Sequence, residues 1–318
     1  MLDWRDLVRL PDRDLAKVDI ALVNLACAAG LPGSDEIDVG HCLRVLDSWA
    51  EQTRCFTERV LPLFHDGRCD YPDSEPRFRI QALVTYLQRD LGLRFRLDRR
   101  SDDAVYEPAD SFLHGIIQGQ GGTCGSLPVL YVAVGRRLGY PLMLATTRCH
   151  LYVRWDALPG GECFNIEASG DGVSFFPDDY YRTGRFAMPP EREAACGYLQ
   201  SLSPREELAG FLVQRGECWM QESVYGNAAM SFAWAHEIDP RRRQHALLTV
   251  QAMRKWNEQL RTLSPARHFP VLDIRMPPRQ FVHWPDEFER ELVRLGVLER
   301  LLRESDYERQ LQQARTLF

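Results

Sequence analysis

Between Asp12 and Gly92, apolar residues recur every three to four positions. This spacing places them on one face of an α-helix. Two runs rich in turn-forming residues, Pro32-Gly33-Ser34 and Pro72-Asp73-Ser74, divide the segment. The segment therefore predicts three or four helices. The apolar positions are Val18, Ala21, Leu22, Leu25 and Ala26, then Leu43, Leu46, Trp49 and Ala50, and then Ile80, Leu83, Val84 and Leu87.

A further helix pattern follows the glycine-rich stretch 119–126. Apolar residues recur at i, i+3, i+4, i+7 and i+11 from Leu127, which is typical of a buried helix face. Pro128 has no N–H and is tolerated only in a first turn, so the helix must begin within a few residues of Cys124. Gly139 is predicted to end it.

Three β-type runs come next, at Met143–Thr147, His150–Trp155 and Cys163–Ser169. The last two are separated by residues 156–161 and predict a hairpin with a longer loop. Helices followed by strands favour an α+β fold over a parallel βαβ fold. We expect a helical region over residues 1–100, an α+β core over 101–200 and a helical region over 201–318.

The pattern is helical again from Ser203 to the end of the chain. Counted from Ala209, seven residues match the signature positions of a 34-residue tetratricopeptide unit: Leu212, Gly216, Trp219, Ala228, Phe232, Ala235 and Pro240. This predicts one tetratricopeptide-like unit. A last amphipathic helix is predicted from Asp286.

Composition narrows the functional classes. The chain has 318 residues, 45% of them hydrophobic, and a net charge of −6. Basic residues are interleaved with acidic ones, which argues against nucleic acid or an anionic membrane as a partner. The apolar runs are shorter than the roughly 20 residues of a membrane span. The start of the chain does not resemble a signal peptide, and we expect a cytoplasmic protein.

Nine cysteines are spread along the chain without a C-x-x-C pair, so neither a disulfide framework nor a zinc site is predicted. Cys149, His150 and Cys163 are an alternative set of metal ligands. Adjacent residues of a strand point to opposite faces, so Cys149 and His150 do not suit one ion. We expect no metal and no cofactor.

Cys124 is a candidate nucleophile. It lies just before a helix, where free N–H groups and the positive end of the helix dipole favour a thiolate. The alternative is a small residue that packs beside glycines.

The predicted hairpin supplies a candidate base and acid. Aligning its polar faces pairs Arg154 with Cys163, Tyr152 with Asn165 and His150 with Glu167. Residues paired in this way have Cβ atoms ~4.5–5.5 Å apart, close enough for a carboxylate to hold an imidazole. A slip of one residue would pair polar with apolar positions, whereas a slip of two would make Asn165 or Ser169 the diagonal partner. Taken singly, His150 and Glu167 could also be structural residues.

Three runs of residues carry a resemblance to a known family: 122–141, which begins Gly-Thr-Cys-Gly-Ser; 149–155, Cys-His-Leu-Tyr-Val-Arg-Trp; and 164–169, Phe-Asn-Ile-Glu-Ala-Ser. Together they resemble the core of the transglutaminase-like superfamily, and more closely its bacterial SirB1-type branch. The resemblance implies a papain-like core with Cys124 as nucleophile, His150 as base and Glu167 as acid, where the wider superfamily usually has Asp. It also implies a helical N-terminal region and a tetratricopeptide-like tail.

Four further residues are candidates for contacts with a substrate. Gln118 or Gln120 could donate to an oxyanion together with the N–H of Cys124, although a role on the loop surface fits them equally well. Tyr152 and Asn165 share the predicted sheet face with His150. His114 also matches a family motif, but we interpret it as structural.

Two functions are compatible with these residues. The first is a cysteine-dependent amide acyl-transfer enzyme, that is, a protease, deamidase or transglutaminase that acts on a protein or peptide. The second is a protein-interaction scaffold without activity that binds a partner through the C-terminal helices.

Overall fold

The computed structural model describes residues 3–34, 37–99, 107–167 and 169–263. They form two compact units, the first ending at Glu207 and the second beginning at Leu208. The helices are α1 (Trp4–Leu7), α2 (Asp12–Leu15), α3 (Ile20–Ala28), α4 (Val39–His65), α5 (Glu75–Thr85), α6 (Pro108–Ser111), α7 (Leu113–Ile117), α8 (Leu127–Arg137), α9 (Pro190–Cys196), α10 (Pro204–Gln221), α11 (Tyr225–Ile238) and α12 (Arg243–Leu263), and the strands are β1 (Leu142–Thr147), β2 (His150–Asp156) and β3 (Cys163–Ile166).

The N-terminal helices begin at side-chain caps. Asp19 accepts a hydrogen bond from a backbone N–H at the start of α3, Asp38 does so for α4, and Ser74 for α5. The predicted helices and the breaks between them are confirmed in this segment. Within the part of the chain that the structure describes, no helix is both long enough and apolar enough to cross a bilayer.

Helix α8 is the centre of the first unit. Its residues from Leu127 to Gly135 are all buried, and it packs against α3, α4, α5, α7, β1 and β2. The predicted helix start just after Cys124 is confirmed. The helix ends as predicted, because Gly139 has a φ of 79° and turns the chain toward β1.

The sheet has three antiparallel strands in the order β1-β2-β3. The predicted register of β2 and β3 is wrong by two residues, because Arg154 lies opposite Asn165 and not opposite Cys163. A shift of two residues leaves every side chain on its predicted face. Strand β3 also ends earlier than predicted, at Ile166, and Glu167 forms a separate bridge with Ser174.

The described part of the second unit, residues 208–263, is helical. Gly216 of α10 lies against Phe232 of α11 so closely that a Cβ atom at position 216 would be 2.4 Å from the Phe232 ring. This contact explains why a glycine suits that position. The helix predicted from Asp286 lies outside the described residues.

Candidate active site

Cys124 lies on a turn held by hydroxyl groups on either side of it. The hydroxyls of Thr123 and Ser126 both donate to the backbone carbonyl of Asp110, at 2.8 and 2.7 Å. The Thr123 hydroxyl in turn accepts a hydrogen bond from the N–H of Gly125. These bonds fix the backbone on both sides of the cysteine. The Cys124 side chain itself is partly exposed.

The carboxylate of Asp110 anchors this turn to the preceding segment. It is fully buried and pairs with Arg96 at 2.8 Å and with Arg99 at 3.2 Å. The backbone of Gly122 exchanges hydrogen bonds with Arg94 and Arg96, and a Cβ atom at Gly122 would lie 2.6 Å from Leu127. Glycine is therefore required two residues before the cysteine.

His150 contacts both Glu167 and Cys124. Its Nε2 lies 2.8 Å from Oε2 of Glu167. The Cys124 side chain also acts on this ring, because its interaction with the imidazole raises the pKa of His150. Because Nε2 is engaged by Glu167, Nδ1 is the ring nitrogen left for the thiol. The structure thus brings together the three residues that the sequence singled out.

The electrostatics of these residues favour a charged imidazole and a charged carboxylate. Burial opposes the charge on His150, but hydrogen bonds to Cys124 and Glu167 outweigh it and raise the pKa of His150 to about 9. Burial likewise opposes ionisation of Glu167, yet hydrogen bonds with His150 and Ser169 lower the pKa of Glu167 to about 2. The two side chains therefore form an ion pair across the neutral pH range.

Two residues donate hydrogen bonds to Glu167 that were not predicted from the sequence. Ser169 donates to Oε1 of Glu167 through its hydroxyl at 2.5 Å and through its backbone N–H at 3.0 Å. The hydroxyl of Tyr181 donates to Oε2 at 3.3 Å. The position of Ser169, two residues after an acid, is a local signal for such a bond. Tyr181 arrives from a distant 3-10 turn, Asp178–Arg182, and has no comparable signal.

Aromatic rings enclose His150. The rings of Phe186, Tyr181 and Tyr152 have centroids 5.2, 6.3 and 6.5 Å from the imidazole. Tyr152 is fully buried and stacks on Tyr181 with their centroids 4.2 Å apart. Tyr152, a predicted substrate contact, is thus located in the wall behind the histidine.

Asn165, another predicted substrate contact, is buried in a polar network. Its amide oxygen accepts from Arg154 at 2.8 Å, and its amide nitrogen donates to Asp178 at 2.8 Å and to the carbonyl of Phe176 at 3.0 Å. Arg154 also donates to Asp178 at 2.6 Å. This network ties β2 and β3 to the turn that carries Tyr181.

The remaining candidates differ in their surroundings. Gln118 and Gln120 are exposed on the loop between α7 and Cys124. His114 is buried, its Nε2 lies 3.2 Å from the Ser34 hydroxyl, and burial lowers its pKa to about 4, as suits a structural histidine. Cys163 lies opposite Asp156, and the described residues contain no cluster of three or more side chains suited to a metal ion.

Comparison with known proteins identifies the family of the chain. The transglutaminase-like superfamily profile matches residues 42–212, which is more than half of the chain. The chain belongs to the transglutaminase-like superfamily. No curated protein and no solved structure shows a significant match.

Proposed function

We propose that the protein is a cysteine-dependent amide acyl-transfer enzyme that acts on a protein or peptide. The main observation that supports this proposal is that His150, buried among aromatic rings, interacts with both Cys124 and Glu167. Membership of the transglutaminase-like superfamily supports the same class of chemistry. Within the superfamily, we propose the SirB1-type branch with a tetratricopeptide-like C-terminal region.

The proposed reaction has two steps. His150 holds the proton of the Cys124 thiol, the sulfur attacks the amide carbonyl carbon, a C–S bond forms and the C–N bond breaks, and that proton passes from His150 to the departing amine or ammonia. Water or a primary amine then attacks the thioester, gives a proton to His150 and releases Cys124. Glu167 keeps the imidazole oriented and balances its charge in both steps.

The acceptor distinguishes the possible products. Water gives a carboxylic acid, as in a protease or a deamidase, and an amine gives a new amide, as in a transglutaminase. The N–H of Cys124 and the side chains of Gln118 or Gln120 are the proposed donors to the oxyanion. The partly exposed thiol beside a buried base fits attack on a group presented from solvent.

Two assays on the full chain test this proposal. Alkylation of each cysteine by iodoacetamide is followed by mass spectrometry at pH 6 to 8, in wild type and in His150→Ala. In parallel, glutamine-containing peptides are assayed for ammonia release, for peptide-bond cleavage and for incorporation of a labelled primary amine. Cys124→Ala is the test variant, and Cys163→Ala, which removes an exposed cysteine of β3, is the matched control.

We expect Cys124 to react faster than the exposed Cys55 and Cys163, and His150→Ala to remove that advantage. Any turnover should disappear in Cys124→Ala and persist in Cys163→Ala. The proposal is wrong if Cys124 reacts no faster than the other cysteines and His150→Ala changes nothing. That result would favour the interaction scaffold, to be tested by a search for partners of residues 208–318.

A further inference from the structure

The carboxylate of Glu167 is held at both of its oxygens. Oε1 accepts hydrogen bonds from the hydroxyl and the backbone N–H of Ser169. Oε2 accepts a hydrogen bond from the hydroxyl of Tyr181 and also contacts His150. A glutamate has three side-chain torsions, and Glu167 lies beyond the end of β3. The sheet alone therefore does not fix its orientation.

We propose that Ser169 and Tyr181 are positioning residues that hold the Glu167 carboxylate in the orientation that His150 requires. Ser169 keeps Oε1 turned away from the imidazole, and Tyr181 places a donor beside Oε2. This inference rests on the proposed role of His150 as the base. It assigns to Ser169 and Tyr181 an effect on the charge of the imidazole, which a purely structural role would not have.

The tyrosines around His150 stay neutral over the pH range in which its imidazole titrates. Tyrosines face the site from three elements: Tyr131 on α8, Tyr152 on β2 and Tyr181 on the 3-10 turn. Burial raises the pKa of each of them, that of Tyr131 to about 12, so they stay neutral up to pH 10. Cys124 and Glu167 are the ionisable groups that act on the ring.

The two hydroxyl groups can be removed with little change in packing. Tyr181→Phe keeps the ring that stacks on Tyr152, and Tyr180→Phe makes the same change one residue earlier in the chain. Ser169→Ala removes a hydroxyl bonded to a carboxylate. Ser201→Ala does the same outside the site, since the Ser201 hydroxyl lies 2.6 Å from Asp156.

The experiment is an NMR titration of the imidazole of His150 in the full chain, with ¹³C-labelled histidine. His150→Ala identifies the resonance among the eight histidines. We expect a midpoint near pH 9 in wild type and a decrease of about half a pH unit or more in Ser169→Ala and in Tyr181→Phe. Ser169→Thr, which retains the hydroxyl, should restore the value. Tyr180→Phe and Ser201→Ala should leave it unchanged.

The direction in which the titration midpoint of His150 moves in the variants tests this inference. Glu167 is ionised throughout this range, so a lower midpoint means that its carboxylate has moved away from the ring. An unchanged or higher midpoint would show that Ser169 and Tyr181 stabilise the negative charge of Glu167 without orienting its carboxylate. That result would overturn this inference and leave the proposed function in place. A wild-type midpoint near the ordinary 6.5 would instead overturn the proposed base and the proposed function with it.

Discussion

Nε2 of His150 lies 2.8 Å from Oε2 of Glu167 at a point where the ladder between β2 and β3 has already ended. The last paired residues of that ladder are Val153 and Ile166. Beyond them, the N–H of Glu167 bonds to the carbonyl of Ser174. The approach of acid to base therefore depends on the length of the glutamate side chain as well as on the strands.

Changes at Glu167 test this dependence on length. Glu167→Asp shortens the side chain by one methylene, about 1.5 Å, and should leave the carboxylate out of reach of His150. Glu167→Gln keeps the length and removes the charge. We expect both variants to lower the rate at which iodoacetamide alkylates Cys124 at pH 7 by roughly ten- to a hundredfold, since a charge-assisted bond contributes about 1.5–3 kcal/mol. Mass spectrometry of the Cys124 peptide measures the rate.

Glu162→Gln is the control for this experiment. Glu162 lies in the same hairpin, and its carboxylate accepts a hydrogen bond from Ser74 at 2.7 Å. Loss of that bond should leave the alkylation of Cys124 unchanged. A Glu167→Asp variant as reactive as wild type would show that the backbone adjusts and that side-chain length is not decisive.

The ion pair also makes stability depend on pH. The pKa of His150 is raised from 6.5 to about 9, so its contribution is complete below pH 6.5 and is lost as the pH rises through 9. The pKa of Glu167 is lowered from 4.5 to about 2, so its contribution is complete above pH 4.5 and is lost as the pH falls through 2. Both contributions are complete only between about pH 4.5 and 6.5.

Urea unfolding of wild type and of Glu167→Gln between pH 4 and 9.5 measures this effect. We expect the difference in the free energy of unfolding to be largest near pH 5.5 and to shrink steadily toward pH 9.5. Arg182→Gln, which breaks ion pairs with Asp179 and Glu193, should give a small difference that is constant above about pH 5. A flat profile for Glu167→Gln would mean that Glu167 does not raise the pKa of His150 in the folded state.

The sequence predicts the faces of the sheet but not its register. Alternation of polar and apolar residues places His150 and Glu167 on one face, and this remains true after a shift of two residues. The register is set by the loop between β2 and β3, where the N–H of Ala157 donates to the carbonyl of Glu162 and the N–H of Gly161 donates to the carbonyl of Ala157. The local pattern of the strands contains no information about that loop geometry.

The surroundings of Cys124 and of Glu167 differ in how far the sequence predicts them. The helix start near Cys124 follows from Pro128 alone, because proline restricts its own neighbourhood. The bond from Tyr181 to Glu167 joins residues 14 positions apart through a turn that is not periodic. Such a contact depends on how the 3-10 turn packs on the sheet, which no spacing rule predicts.

Asn165 and Gln118 provide a final test, because both were candidates for substrate contact and their surroundings differ. The amide of Asn165 is buried and bonded to Arg154, Asp178 and the carbonyl of Phe176, whereas Gln118 is exposed. Removing the Asn165 amide takes one hydrogen bond each from Arg154, Asp178 and the Phe176 carbonyl, at a cost of about 1–3 kcal/mol. Asn165→Ala should therefore lower the free energy of unfolding by about that amount, and Gln118→Ala by less than about 0.5 kcal/mol.

In kinetic assays we expect the opposite order, with the larger effect in Gln118→Ala and the smaller one in Asn165→Ala. With a peptide that the enzyme turns over, Asn165→Ala should leave KM unchanged in the folded fraction, because Asn165 supports the sheet and the Tyr181 turn. Gln118→Ala should lower kcat by roughly ten- to a hundredfold if its side chain donates to the oxyanion, because this bond forms only in the transition state. If kcat is unchanged in Gln118→Ala, the second oxyanion donor is Gln120, and Gln120→Ala should then show the loss. An increased KM with normal stability in Asn165→Ala would instead indicate that Asn165 contacts the substrate.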